Sequence, residues 1–157
     1  MINKIESWID ETIEGQLNNR VSCKRFAKEF NGFYPIEFLS GSYYVVAEKI
    51  PKPDFPELRQ AGLGDFIDRP LAGITYKDTY FIQKGYESDL ALHFHELVHV
   101  VQWRILGASN FISRYISEVQ HYGYEDSPLE KMAYELQDAF SNKEHPFNIP
   151  DYVKNNV

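Results

Sequence analysis

The sequence predicts one α+β domain, with a few strands set between helices at either end. Three observations carry this. Apolar residues recur at three- and four-residue steps near the N-terminus. β-branched and aromatic residues gather in short runs in the middle, and from residue 88 onward the apolar pattern is helical. The 157 residues suit one ordinary domain and are few for two. Hydrophobic residues make up 43% of the chain, including 11 Tyr, 11 Phe and 2 Trp, so a sizeable core can form.

Taken in order, Ile2, Ile5, Trp8, Ile9 and Ile13 define one face of an amphipathic helix that ends near Gly15. Ser22 is placed to cap a second, short helix with Phe26 and Phe30 on one face. Asn31-Gly32 and Pro35 then break the chain. Residues 43–50 read as a strand. Pro51, Pro53 and Pro56 make a rigid connection rather than a domain linker. Residues 71–76 and 79–84 flank Lys77-Asp78 as a hairpin or a bulged edge strand. Ser88 is a cap for a long helix through Leu106, with Gly107 just past its end. Asn110 can cap the next helix, over residues 111–121, which Gly123 stops. Ser127 and Pro128 open another, running to about Asn142, before a tail containing Pro146 and Pro150. No repeat or low-complexity segment interrupts this order.

Charge narrows the function classes. Sixteen Lys and Arg against 23 Asp and Glu leave a net charge of −7. That balance disfavours nucleic acid and anionic membrane as partners, since both need clustered cations. The single cysteine, Cys23, excludes an internal disulfide framework and a multi-cysteine zinc module, and reads as a small packed side chain. The first residues lack a basic start followed by an apolar run, and no stretch approaches the length of a membrane span. The expectation is a cytoplasmic protein.

Within the long helix, His95-Glu96-Leu97-Val98-His99 matches H-E-x-x-H. His95 and His99 lie one turn apart on one face, so their imidazoles can converge on a single metal ion. Glu96 is rotated by about 100° from His95. There it can reach a water beside the metal without being a ligand, which is the position of a general base. The plain alternative is a pair of partly buried histidines on an ordinary amphipathic helix.

The segment from His95 through Gln102, with Val100 and Val101 after the second histidine, resembles the zincin metallopeptidases. Within them it is similar to small gluzincin-like domains of the HELxHxxQ type. The resemblance extends to Gly73-Ile74-Thr75-Tyr76-Lys77-Asp78-Thr79-Tyr80 and to residues 128–134, so it covers roughly residues 70–138. It implies a zincin-like fold, with a small sheet against the motif helix and its neighbours. It also implies a zinc ion held by two histidines and a downstream glutamate, and a strand that pairs with an extended peptide or protein substrate. The activity implied is zinc-dependent hydrolysis of peptide bonds with Glu96 as the base.

A third histidine at metzincin spacing is absent, because Val100, Val101 and Gln102 follow His99. Glu130 is the expected third ligand: Glu130-Lys131-Met132-Ala133-Tyr134 resembles the segment on which gluzincins place it. Tyr134 stands where an aspartate often orients the first histidine, which leaves Asp138 or a backbone carbonyl for that role. Ser127-Pro128-Leu129-Glu130 also reads as a capping box, which needs no metal. Glu118 and His121 are then alternative ligands. His93 points away from the ligand face, and Gln102 projects near it, as a contact or as packing. The resemblance also implies a Tyr or His donor to an oxyanion; Tyr115, Tyr122 and Tyr124 lie in the right half of the chain, and among eleven tyrosines the sequence singles out none. His145 reads as exposed. Two other classes remain open: a non-catalytic binding domain on a zincin scaffold, and a regulatory metal-binding module of a mobile genetic element.

Overall fold

The computed structural model describes residues 1–157. Helix α1 (Ile2–Glu14) buries Ile5 and Ile9 and ends where the Gly15 N–H bonds back to Glu11 and Ile13. Strand β1 (Val21–Ser22) leads into a single 3-10 turn, Cys23–Phe26, whose first free N–H, on Lys24, is accepted by the Ser22 hydroxyl. The expected second helix is therefore one tight turn, although Phe26 and Phe30 are both buried as its pattern required. Helix α2 (Ile36–Ser40) precedes strand β2 (Tyr43–Ala47). That strand stops three residues before the expected end, just ahead of Pro51 and Pro53, which cannot donate to a ladder.

Residues 51–70, read from sequence only as a connection, fold on themselves. Helix α3 (Pro56–Leu58), a π-helical turn (Arg59–Leu63) and helix α4 (Gly64–Asp68) follow one another. Gly62, at φ 91°, supplies the left-handed kink between them. Arg59 is clasped by Asp54 and Asp68, and the Lys52 ammonium donates to the carbonyls of Phe66, Ile67 and Arg69.

Strands β3 (Gly73–Tyr76) and β4 (Thr79–Gln83) form the expected hairpin around Lys77-Asp78, with Lys77 left-handed at φ 58°. The sheet order is β1-β2-β4-β3. β2 pairs with β4 in parallel, from Tyr43 opposite Thr79 to Ala47 opposite Gln83, and β3 is an edge.

Helix α5 (Leu90–Leu106) lies against β3 and β4 and is buried continuously from His93 to Trp103. Its cap is Asp89 rather than Ser88: Oδ1 of Asp89 accepts from the Leu92 N–H at 3.1 Å. Helix α6 (Ala108–Tyr122) begins directly after Gly107, so Asn110 sits inside it and donates to the Leu106 carbonyl instead of capping. Helix α7 (Pro128–Ser141) starts and stops as the sequence indicates. Helix α8 (Ile149–Asn156) replaces the expected tail. Asn148 caps it, Pro150 falls in its first turn where a missing N–H is harmless, and Ile149 and Val153 are fully buried.

Two apolar clusters sandwich α5. One joins Phe30, Phe94, Leu97 and Val98 to α7 and α8, and the other joins Ile9, Phe81, Trp103 and Phe111 to α1 and α6. Each fully buried side chain of this size contributes about 1.5–3 kcal/mol, so α5 is held rigidly on both sides. No helix is long and apolar enough to cross a membrane.

Candidate metal centre

Because α5 is fixed by its packing, His95 and His99 are fixed with it, one turn apart on the face toward α7. Glu130 enters from the first turn of α7. Its Oε1 lies 3.1 Å from Nε2 of His95 and 3.2 Å from Nε2 of His99, and the two Nε2 atoms are 3.2 Å apart. A tetrahedral zinc site with ligand bonds of about 2.0–2.1 Å has ligand-to-ligand edges of about 3.3 Å. The three residues are thus close enough to hold a metal ion, and all three are buried.

Their hydrogen bonds decide what lies between them. Nδ1 of His99 donates to Oε1 of Gln102 at 2.7 Å, and the orientation of that amide is set by its Nε2, which donates to the Leu129 carbonyl at 3.1 Å. Nδ1 of His95 donates to Oε1 of Gln137 at 2.9 Å. With both protons on Nδ1, both Nε2 atoms present lone pairs to each other and to a carboxylate. Three electron-pair donors converging in a buried space can be bridged by a proton or a metal ion.

The electrostatics agree. Burial opposes charge on His99, yet the Glu130 carboxylate beside it pushes its pKa up to about 9. Burial likewise opposes charge on Glu130, but a proton on His99 and the close approach of both imidazoles to Oε1 hold its carboxyl well below the usual range. The cluster demands one positive charge, a proton or a metal ion.

The capping-box reading of Glu130 does not describe the structure. The Ser127 hydroxyl donates to the Tyr124 carbonyl at 3.0 Å and caps nothing. The free N–H of Leu129 is instead accepted by Oε1 of Glu118 at 2.8 Å, while Arg114 holds the other oxygen of Glu118 at 2.9 Å. Glu118 is therefore the cap of α7 and stands outside the cluster. His121 is exposed and meets the Tyr122 ring edge-on. The second oxygen of Glu130 accepts from the Tyr115 hydroxyl at 2.8 Å.

Glu96 stands beside this group without joining it. Its Oε2 is 4.0 Å from Nε2 of His95, and its Oε1 accepts from the Thr75 hydroxyl at 2.8 Å. Burial pushes its carboxyl above the ordinary value, against the pull of both histidines. His93 belongs to the core: its Nε2 donates to the Glu87 carbonyl, and its Nδ1 accepts from Tyr80, which in turn accepts from Cys23. Asp138 and His145 are exposed. Tyr134 packs its ring 4.5 Å from that of His95 but does not orient it. Gln137 does, and it was missed. The signal was its spacing: Gln137 is seven residues after Glu130, hence on the same face of α7.

Two pockets meet at Glu96. One is a polar mouth that includes Arg69, His95, Tyr134 and Gln137. The other is apolar, enclosed by Ile9, Leu63, Phe66, Trp103 and Ile112, and reaches His99 and Glu130. Gly73 and Tyr124 line both. The Gln83 N–H bonds to the Ala72 carbonyl at 2.8 Å, so in the alternating antiparallel ladder Ile74 and Tyr76 also bond to β4. Gly73 and Thr75 consequently turn their backbone N–H and C=O groups toward the unpaired side of the strand, where both residues are buried in the cleft wall.

No protein-family model, curated protein or solved structure matches the chain. Fold and site together define an α+β domain with a buried cluster of two histidines and one glutamate able to hold a metal ion.

Proposed function

We propose that the protein is a zinc-dependent metallopeptidase of the gluzincin-like kind, with His95, His99 and Glu130 as zinc ligands and Glu96 as general base. The observation that carries this is the division of labour among four buried acidic and imidazole groups. Three present lone pairs to one point, and the fourth keeps a free oxygen 4.0 Å from Nε2 of His95. Two imidazoles and one carboxylate suit zinc and leave a fourth position open. Zinc held there would supply Lewis acidity to a peptide carbonyl and acidify a water molecule. Glu96, with one oxygen free beside the cluster, would accept a water proton and pass it to the leaving amine. Gln102 and Gln137 keep both imidazoles in the tautomer that ligates.

Of the three tyrosines considered for the oxyanion, Tyr115 is engaged by Glu130 and Tyr122 is exposed. Tyr124 lines the cleft with Glu96, and burial pushes its hydroxyl far above the ordinary value, so it keeps a proton to donate to an oxyanion. An extended peptide is the substrate that suits the free edge of β3, with a bulky apolar side chain in the apolar pocket.

The test is turnover of a mixed peptide library by the zinc-loaded protein and by Glu96→Gln. Cleavage by the wild type, falling by about two to three orders of magnitude in Glu96→Gln at unchanged zinc content, is expected. Zinc binding without any cleavage would favour a regulatory metal-binding module instead.

A further inference from the structure

We propose that Thr75 is a positioning residue for Glu96, so that the strand offered to substrate also aims the base. This deepens the hydrolytic reading and rests on it. A glutamate has three side-chain torsions, and a base that must meet one water from one side cannot be left to sample them. Here the two oxygens of Glu96 are made unequal. Oε1 accepts the Thr75 hydroxyl at 2.8 Å, and Oε2 is the oxygen left near the cluster, 4.0 Å from Nε2 of His95. The one hydroxyl proton has Oε1 as its nearer acceptor and the Glu96 carbonyl, 3.1 Å from Oγ1, as its second, and Thr75 is buried.

Two positions earlier, Gly73 makes room for the same carboxylate. A Cβ on Gly73 would stand 3.2 Å from Cγ, Cδ and Oε2 of Glu96, closer than side chains ordinarily pack, so the carboxylate lies directly on the strand backbone. Gly73 and Thr75 are also the two residues of β3 whose backbone N–H and C=O groups face the open edge. Their inward atoms hold Glu96 while their outward atoms are free for a peptide.

The experiment is a double-mutant cycle with Thr75→Val and Glu96→Gln, plus Thr75→Ser, on zinc-loaded protein. Valine keeps the shape and strand preference of threonine and removes only the hydroxyl. Thr75→Val should retain zinc and KM while kcat falls about 10- to 100-fold, the range spanned by one hydrogen bond to a charged group. Thr75→Ser should restore most of the rate. In the Glu96→Gln background Thr75→Val should cost almost nothing further, because the group it acts through is gone. An unchanged kcat, a loss confined to KM, or an equal loss in the Glu96→Gln background would overturn the proposal. Melting temperatures of the metal-free wild type, Thr75→Val, Glu96→Ala and their double variant give a readout that needs no turnover, because alanine, unlike glutamine, leaves the Thr75 hydroxyl no side-chain acceptor at position 96. Non-additive losses support the Thr75–Glu96 contact even if the hydrolytic reading falls, and additive losses overturn it even if that reading stands.

Discussion

Replacing Glu130 by alanine separates the two roles its position allows, and the structure supplies the sizes. As a ligand, Glu130 brings the only full negative charge among the three converging atoms, with Oε1 at 3.1 and 3.2 Å from the two Nε2 atoms. Loss of a residue that merely orients a ligand weakens metal binding about 10- to 100-fold, and a direct ligand should exceed the upper figure, or about 2.7 kcal/mol. Ser127→Ala is the control. The Ser127 hydroxyl donates only to the Tyr124 carbonyl, so its loss should cost about 1 kcal/mol of stability and leave zinc affinity unchanged. Competition against a chromophoric chelator measures both variants on one scale. Equal zinc affinity in Glu130→Ala and Ser127→Ala would refute the ligand assignment.

Gln102→Leu removes the acceptor of the buried His99 Nδ1 proton, together with a second donor to the Leu129 carbonyl. Zinc affinity should fall about 10- to 100-fold by chelator competition, with about 1–3 kcal/mol lost in denaturant unfolding; full affinity would show that His99 needs no such support. The metal-free protein should lose stability as pH rises. The pKa of His99 is raised from 6.5 to about 9 on folding, so its contribution is complete below 6.5 and disappears through about 9. Melting curves at pH 6 and pH 9.5 check this, and a metal-free protein more stable at 9.5 would contradict it. Ile116 lines the apolar pocket and is only half-buried, so Ile116→Phe should fold. It should shift cleavage from peptides with bulky apolar residues toward smaller ones by roughly tenfold; an unaltered profile would place specificity elsewhere.

The parts of the site that were legible in the sequence are those set by spacing along one helix. His95, Glu96 and His99 need only the helical period to be placed, and α5 supplies it. Glu130 came from resemblance to a family segment, and no spacing within one helix could have joined it to His95 across 35 residues. Glutamines carry no charge pattern that singles them out, so Gln137 stayed hidden, and Gln102 could not be assigned to His99 rather than to packing. Helix α8 was masked by Pro146 and Pro150, since a proline at a helix start reads like one in a loop until the buried Ile149 and Val153 are seen. The parallel pairing of β2 with β4 joins segments separated by α3, α4 and β3, a long-range choice that local patterns do not encode. Ser88 and Asp89 are both able caps, and the turn in which the Asp89 N–H bonds to the Tyr86 carbonyl selects the second.

The most direct test of the central claim is elemental analysis of protein purified without added metal, alongside His95→Ala and His99→Ala. About one zinc per chain in the wild type, and almost none in either variant, is the expected result. A folded wild type without metal that also fails to take up zinc, or a histidine variant with wild-type zinc content, would contradict it.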